Sequence, residues 1–254
     1  MILDKFSLNG KAALVTGASR GLGHQIAVAL AEAGADVACH SRENGGASAA
    51  IGTITNLGRK AISVVGDMAD HNVPQKVADT VLEGFGKIDI LVNNAGMIRR
   101  SPAVKYTEED WSAVIDVNLS SVFRLCQAVG REMIAQGHGK IVNIASLLSF
   151  QGGITVPAYT ASKSGVAGLT KALANEWAKH NVNVNAIAPG YIETDNTSTL
   201  RADETRNRQI IERIPAGRWG NAHDLSGAVV FLSSPASDYV QGHIMVVDGG
   251  WMAR

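Results

Sequence analysis

Short apolar runs alternate with longer amphipathic segments along most of the chain. The apolar runs are bounded by turn-forming residues and predict β-strands at residues 12–16, 36–40, 61–65, 88–93, 140–145, 182–188 and 244–247. Between them, apolar positions recur every three to four residues. That period predicts helices at residues 22–33, 47–57, 73–85, 108–135 and 158–180.

This alternation of strand and helix predicts an α/β fold. It favours a parallel sheet with helices on both faces, and right-handed crossovers make that sheet doubly wound and Rossmann-type, with seven strands. A chain of 254 residues is compatible with one such domain, so we expect a single domain over residues 1–254. Residues 193–213 interrupt the alternation with a polar, charged segment, which we predict to be a substrate loop.

Composition and charge argue against several classes of partner. The chain is 46% hydrophobic and 18% charged, as expected of a globular protein with a sizeable core. Its formal net charge is zero, so we expect neither nucleic acid nor an anionic membrane as a partner. Residues 141–162 carry no charge, but they contain a proline, glycines and amide side chains. We interpret them as a strand and the wall of a dry pocket rather than a membrane helix.

The two cysteines, Cys39 and Cys126, lie in apolar segments without the spacing of a metal site. We expect both thiols to be reduced and buried, and no metal to be bound. The first residues lack the apolar region of a signal peptide. Together these features favour the cytoplasm.

Tyr159 and Lys163 are the strongest candidates for chemistry. They are four residues apart in a predicted helix, which places both side chains on one face, about one turn apart. A phenol ionises near pH ~10, and an ammonium beside it favours the phenolate. Such a tyrosine can exchange a proton with an alcohol or ketone oxygen, which the Ser146 hydroxyl can hold. A tyrosine and a lysine at this spacing are more commonly an exposed pair without a catalytic role. Motifs elsewhere in the chain therefore have to distinguish the two interpretations.

A glycine-rich turn joins the first predicted strand to the first predicted helix, where residues 16–23 read TGASRGLG. Glycines let the backbone approach phosphate closely, and the helix start offers unpaired N–H groups. Because ligands of such sheets bind beyond the carboxyl ends of the strands, we predict a dinucleotide site here. Asp67 is expected to accept a hydrogen bond from adenine. Residues 93–96 are expected to form the floor of the cofactor site. Simple turns are the alternative at both places.

Taken together, these motifs resemble the short-chain dehydrogenase/reductase family over essentially the whole chain. The resemblance implies that Tyr159 is the general acid/base, that Lys163 lowers its pKa and binds the nicotinamide ribose, and that Ser146 orients the substrate oxygen. It also implies that Asn118 supports a water relay to Lys163. The cofactor-binding residues expected from the loop and the resemblance are Gly17, Ser19, Arg20, Gly21, Leu22, Gly23, Ser41, Arg42, Asp67, Met68, Asn94, Ala95, Gly96, Tyr159, Lys163, Pro189, Gly190, Ile192 and Thr194.

Further segments are similar to family members that exchange hydride at a hydroxyl of a deoxy-ketogluconate. These segments are residues 96–100, 149–153, 174–180, 200–203, 213–219 and 248–251. The resemblance implies a role in the breakdown of pectin-derived uronates and a homotetramer, with apolar residues 244–251 at an interface. A sugar acid carries a carboxylate, which suits arginine. We expect Arg99, Arg100 and Arg201 to bind it, and Gln151 to bind hydroxyls.

The sequence leaves the choice of cofactor open. The implied relatives use NAD(H), whereas the residues favour NADP(H). Ser41 is neutral where an acidic residue would accept hydrogen bonds from the ribose 2′-hydroxyl, and Arg42 and Arg20 offer positive charge to a 2′-phosphate.

Three other functions stay in view. Gluconate 5-dehydrogenases share much of the pattern. A 3-oxoacyl-thioester reductase would need a basic surface for its acidic carrier, which the neutral charge balance does not support. A non-catalytic dinucleotide sensor needs only the glycine loop, so the complete set of Asn118, Ser146, Tyr159 and Lys163 argues against it.

Overall fold

Seven strands form one sheet in the computed structural model, which describes the backbone of residues 1–254 and every side chain apart from that of Asn196. The strands are β1 (Ala12–Val15), β2 (Asp36–Ser41), β3 (Ala61–Val65), β4 (Ile90–Asn93), β5 (Gly139–Ile144), β6 (Val182–Pro189) and β7 (Ile244–Val247). The helices are α1 (Gly21–Glu32), α2 (Ser48–Asn56), α3 (Val73–Phe85), α4 (Glu108–Ile115), α5 (Ser121–Gln136), α6 (Pro157–Trp177), α7 (Ser198–Ala202), α8 (Glu204–Arg213) and α9 (Ser226–Ser233).

The strand order is β3-β2-β1-β4-β5-β6-β7, and every neighbouring pair is parallel. The chain builds outward from β1 in one direction, then returns to β4 and builds in the other. The reversal between β1 and β4 opens a crevice at the carboxyl ends of these strands, where ligands of such folds bind. The predicted doubly wound, Rossmann-type sheet is confirmed.

Side chains that alternate along each strand supply two cores, one on each face of the sheet. Val15 packs with α1, α2 and α9, whereas Leu14 packs with α3, α5 and α6. Because both faces are covered, the central strands are buried throughout, as all eight residues of β6 illustrate. Each fully buried leucine, isoleucine or valine contributes about 1.5–3 kcal/mol to folding. None of the described helices has the length and apolar character needed to cross a membrane.

The helical segments predicted over residues 108–135 are confirmed, with one irregularity between them. Helices α4 and α5 are separated by a π-helical turn at Asp116–Ser120. This wider turn carries the fully buried Asn118 inward. The Asn118 side chain accepts a 2.8 Å hydrogen bond from the Met97 N–H and donates one of 2.9 Å to the Met97 carbonyl. Such turns are frequent at functional sites, because they redirect a side chain without ending the helix.

The sequence predicts one loop over residues 193–213. The structure instead places two helices there, α7 and α8. The Asp203 side chain caps α8 by accepting a 2.9 Å hydrogen bond from the Arg206 N–H. Ile210 and Ile214 pack against Leu147 and two tryptophans in a third, small core outside the sheet. This core holds α8 as a cover over the carboxyl ends of the strands.

Candidate active site

Two cavities meet at the carboxyl ends of the strands, and Tyr159 lines both. The larger one, about 500 Å³, lies between the loop after β5 and the covering helices α7 and α8. The smaller one, about 240 Å³, follows the turn from β1 into α1. A phenol at the boundary of two cavities is placed to act between two ligands that react with each other.

A third cavity, about 410 Å³, lies at the opposite ends of the strands. Its charged side chains are paired with one another: Lys11 and His138 contact Asp89, and Lys140 contacts Asp238. We interpret this cluster as structural, because its charges are already compensated.

The glycine loop is shaped to admit a phosphate-bearing ligand. Gly17 has φ +65°, in the region that favours glycine. A Cβ on Gly23 would lie 2.1 Å from the Gly17 carbonyl oxygen, so no side chain fits there. Helix α1 begins at Gly21, and its unpaired N–H groups and positive dipole end lie at this cavity. The predicted residues Gly17, Ser19, Arg20, Gly21, Leu22 and Gly23 all line it.

His40, which the sequence analysis overlooked, fixes this loop to the neighbouring strands. Its Nδ1 accepts a 3.2 Å hydrogen bond from the Gly17 N–H, and its Nε2 lies 3.0 Å from the Gly66 carbonyl oxygen. These partners assign the proton to Nε2 of a neutral ring. Burial lowers the pKa of His40, which favours that neutral form.

The segment after β4 is tied to the end of β1. The Asn94 side chain donates to the carbonyl oxygens of Thr16 and Gly17, at 2.8 and 3.1 Å. The Thr16 hydroxyl in turn accepts 2.9 Å hydrogen bonds from the N–H groups of Asn94 and Ala95. Asn94 and Gly96 line the smaller cavity. Thr16 therefore holds these residues in place, a role that its position in the motif did not reveal.

Tyr159, Ser146 and Lys163 converge from two elements. Tyr159 and Lys163 lie in the first turns of α6, which begins with Pro157. Tyr159 is half-buried, and Ser146 acts on its phenol so as to lower the pKa. The Lys163 ammonium is buried, donates a 2.6 Å hydrogen bond to the Ile144 carbonyl and lies 5.7 Å from the centre of the Tyr159 ring.

The loop after β5 is fastened to α6 by a second serine. Ser149 donates a 2.7 Å hydrogen bond to the carbonyl oxygen of Lys163 and lies 3.3 Å from the N–H of Ser146. Ser146 also accepts a 3.2 Å hydrogen bond from the Leu148 N–H. These contacts fix the Ser146 hydroxyl relative to the tyrosine.

The expected net lowering of the Tyr159 pKa is not found in the structure. Burial raises the pKa of Tyr159, and the hydrogen bond with Ser146 and the charge of Arg100 offset this only in part. Burial also lowers the pKa of Lys163, to about 8. Lys163 is not among the groups that lower the pKa of Tyr159, and its ammonium is directed at the Ile144 carbonyl.

Two of the four predicted substrate residues, Arg100 and Gln151, line the larger cavity. The other two lie outside its described lining. Arg99 pairs with Asp110 at 3.5 Å, and the Nε of Arg201 is buried on α7 without a hydrogen-bond partner among the described residues. In their place, Arg206 and Arg213 of α8 line the cavity, which the sequence analysis did not anticipate.

The residues expected around the adenosine ribose differ in accessibility. Ser41 is buried and donates a 2.8 Å hydrogen bond to the Glu43 carbonyl, so the structure does not support its role as a ribose contact. Arg42 is exposed and pairs with Glu43 at 2.9 Å, and Arg20 pairs with Asp195 at 3.1 Å. Asp67 is exposed, whereas Met68 is buried in a core.

The chain after β6 brings the remaining predicted residues to the same edge of the sheet. Pro189 ends β6, and a Cβ on Gly190 would lie 2.6 Å from the Cα of Asp248. This close approach explains why glycine follows the strand. Ile192 is buried and pairs with Gly220 in an isolated bridge. Thr194 lines the smaller cavity.

Comparisons with known proteins agree with this geometry. The family model described as short chain dehydrogenase matches residues 11–205. The 2-dehydro-3-deoxy-D-gluconate 5-dehydrogenase of Bacillus subtilis is 56% identical, over 99% of this chain and 98% of its own. The protein of that name from Dickeya dadantii is 54% identical over the full length of both chains.

A solved structure is similar over nearly the whole chain. It is that of a putative 2-deoxy-D-gluconate 3-dehydrogenase from Agrobacterium tumefaciens with bound NADP, which is 57% identical and superposes with a TM-score of 0.93. The match covers 99% of this chain and 100% of that one. The sequence and the fold of this chain both match these proteins over nearly its whole length. The chain therefore belongs to the short-chain dehydrogenase family of NAD(P)-dependent oxidoreductases.

Proposed function

We propose that this protein transfers hydride between a nicotinamide cofactor and a hydroxyl or ketone of a deoxy-ketogluconate-type sugar acid. The position of Tyr159 between the two cavities supports this most directly. Three arginines line the larger cavity, and none of its described lining residues carries a carboxylate. This charge pattern suits an anionic substrate. The names of the relatives support the same substrate class.

The residues at the smaller cavity fit a dinucleotide. The glycine loop and the start of α1 would hold its phosphates, while Asn94, Gly96, Lys163 and Thr194 would surround its nicotinamide end. The bound cofactor supplies or accepts the hydride. The protein then has to move one proton: Tyr159 gives its phenolic proton to the ketone oxygen in reduction and takes the hydroxyl proton in oxidation. Ser146 holds that oxygen, and the charge of Lys163 favours the phenolate.

Turnover assays test this function. We expect 2-dehydro-3-deoxy-D-gluconate to be oxidised with a kcat/KM well above that for D-gluconate, as followed by the absorbance of the reduced nicotinamide. Preference for D-gluconate would reassign the protein to gluconate 5-dehydrogenation. No turnover of either sugar acid with either cofactor would refute the proposal.

The role of Tyr159 has its own test. A Tyr159→Phe variant should bind the cofactor with unchanged Kd, while its kcat falls by about 10²–10⁴-fold, because the proton donor is removed. Tyr239→Phe is the matched control, since Tyr239 is fully exposed. Undiminished turnover by Tyr159→Phe would remove this residue from its assigned role.

We further propose that NADP(H) is accepted, through Arg42. This side chain is 71% exposed at the end of β2, and the residue before it is neutral, so Arg42 can bind a 2′-phosphate once it leaves its exposed ion pair with Glu43. The bound NADP of the Agrobacterium tumefaciens relative supports this choice. Arg42→Ala should lower kcat/KM for NADP(H) by about 10- to 100-fold, the loss of one charge-assisted hydrogen bond. A strong preference for NAD(H) that survives this substitution would contradict the phosphate contact.

We infer a cytoplasmic homotetramer. Cys39 and Cys126 are both buried and unpaired, which suits a reducing compartment. Edge strand β7 exposes Val246, and α5 exposes Phe123, so apolar surface remains for contacts between subunits. Sedimentation equilibrium tests the assembly, and a monomer at micromolar concentration would exclude it.

A further inference from the structure

We propose that Arg213 of α8, assisted by Arg206, binds the substrate carboxylate from the cover of the larger cavity. The proposal rests on the proposed function, and it adds the residues that select an acid over a neutral sugar. It assigns to α8 a specificity role that neither the glycine loop nor the Ser146–Tyr159–Lys163 arrangement contains.

One face of α8 points into the cavity. Arg206, Gln209 and Arg213 recur at helical spacing and all line it, while Ile210 on the same face is buried in the core beneath. Two other charged residues of α8, Arg208 and Glu212, pair with each other at 3.8 Å and do not belong to the described lining. Thus the inward face of the helix is cationic, whereas Arg208 and Glu212 compensate each other away from the cavity.

The cationic charge of the inward face has no acidic partner. Arg100, Arg206 and Arg213 each lie more than 4.0 Å from every described carboxylate. Five other arginines do have an acidic partner within that distance, namely Arg20, Arg42, Arg99, Arg208 and Arg218. Arginines that converge on one cavity without acidic partners repel one another, and an anionic ligand relieves that repulsion.

Arg213 is held ready for such a ligand. Its guanidinium carbon lies 4.0 Å from the centre of the Trp251 ring, and Trp251 is buried. The Trp251 indole N–H donates a 3.4 Å hydrogen bond to Gln151 on the opposite wall of the same cavity. A guanidinium stacked on an aromatic ring keeps the N–H donors in its plane available for a carboxylate.

Arg206 is less constrained than Arg213. Both side chains are exposed, but Arg206 donates a 3.3 Å hydrogen bond to Gln209, whereas Arg213 stacks on a buried ring. Since pre-organisation reduces the entropy lost on binding, Arg213 should contribute more to affinity than Arg206. Together with Arg100 on the other wall, the two residues enclose the carboxylate end of the substrate and direct its other end toward Tyr159.

The test compares Arg213→Gln and Arg206→Gln with Arg208→Gln, the matched control on the outer face of α8. Each variant is assayed with 2-dehydro-3-deoxy-D-gluconate and with its uncharged carboxamide. We expect Arg213→Gln to raise KM for the acid by about 10- to 100-fold, and Arg206→Gln to raise it less. The KM for the carboxamide, the cofactor Kd and the kinetics of Arg208→Gln should stay within about twofold of the parent. An equal rise in KM for acid and carboxamide, or no rise for the acid, would overturn the proposal.

A binding experiment separates this proposal from the proposed function. With NADP⁺ present, D-gluconate should raise the Tm of the parent protein, whereas the uncharged D-glucitol should not, and Arg213→Gln should abolish the difference. If the parent protein binds gluconate through Arg213 but oxidises no sugar acid, the function is wrong and the carboxylate site stands. If the parent protein oxidises the acid while Arg213→Gln leaves its KM unchanged, the function stands and the site is wrong.

Discussion

The ammonium nitrogen of Lys163 donates a 2.6 Å hydrogen bond to the carbonyl oxygen of Ile144, the last residue of β5. This contact joins α6 to the end of the sheet at the smaller cavity. It places a buried positive charge beneath the tyrosine, at a cost in desolvation that one carbonyl dipole offsets only in part. Burial accordingly lowers the pKa of Lys163 to about 8.

The first prediction concerns stability as a function of pH. The pKa of Lys163 is 10.5 in the unfolded chain and about 8 in the folded protein. Between these values the unfolded state binds more protons, so the free energy of unfolding should rise with pH by up to about 3 kcal/mol. Lys163→Met removes the group and should lack this gain. Urea titrations from pH 7 to about 10.5 measure it, and parallel curves for the two proteins would show that the ammonium is not buried.

The second prediction concerns Arg100, whose charge lowers the pKa of Tyr159. Arg100→Met should raise that pKa, so the pH at which alcohol oxidation reaches half its maximal rate should move upward. The measurement is kcat/KM against pH with an uncharged substrate, so that carboxylate binding does not contribute. Arg99→Met is the control, because Arg99 pairs with Asp110 outside the described lining of the cavity. Identical profiles for parent and Arg100→Met would exclude the electrostatic effect.

The fold could be predicted from the sequence because strands buried on both faces are largely apolar. Strand β1 is the clearest case, since Ala12–Val15 are all apolar and all buried. The π-helical turn at Asp116–Ser120 could not be predicted, since its residues fit an uninterrupted helix equally well. Helix α8 left a signal that was missed: Asp203 is an N-cap residue, followed by apolar residues at 210, 211 and 214.

The chemistry of the site was easier to predict than its specificity. That Tyr159 and Lys163 share one helix follows from their spacing, as the helix α6 confirms. Their assignment to the chemistry depended in addition on the other motifs of the chain. The choice among arginines does not follow from the sequence. Arg99 and Arg100 are adjacent, yet one pairs with Asp110 and the other lines the cavity. Which of them faces a ligand depends on tertiary packing, as does the inward face of α8.

The third prediction concerns His40, which holds the glycine loop through the Gly17 N–H. His40→Phe leaves that donor without its partner, so the cofactor Kd should rise by about 3- to 10-fold. The kcat at saturating cofactor should not change, because His40 does not belong to the described lining of either cavity. Calorimetric titration measures the Kd, and a change in kcat without a change in Kd would contradict this role.

The same histidine should make stability depend on pH in acid. Burial lowers the pKa of His40 below its ordinary value of 6.5. In the window just below pH 6.5 the unfolded state binds more protons, so the stability of the parent protein is lost as pH falls through it. His40→Phe should lack this component. Stability curves of parent and variant that remain parallel below pH 6.5 would show that the ring is not held neutral.

The last prediction concerns the ion pair between Arg20 and Asp195, 3.1 Å apart at the smaller cavity. Both side chains are more than 70% exposed, so the pair itself is worth less than about 1 kcal/mol and opens easily. Asp195 nevertheless competes with any phosphate for the Arg20 guanidinium. Asp195→Asn should therefore lower KM for NADP(H) by about 2- to 5-fold and affect NAD(H) less.

Glu193→Gln is the matched control, because it removes one exposed negative charge from the same segment. If general electrostatic attraction were responsible, both variants would favour NADP(H) equally. If Arg20 is the reason, the gain appears in Asp195→Asn alone and disappears in the double variant Arg20→Ala/Asp195→Asn, since the released guanidinium is then absent. A gain that persists in the double variant would show that Arg20 does not bind the 2′-phosphate, and would leave Arg42 as the residue that recognises it.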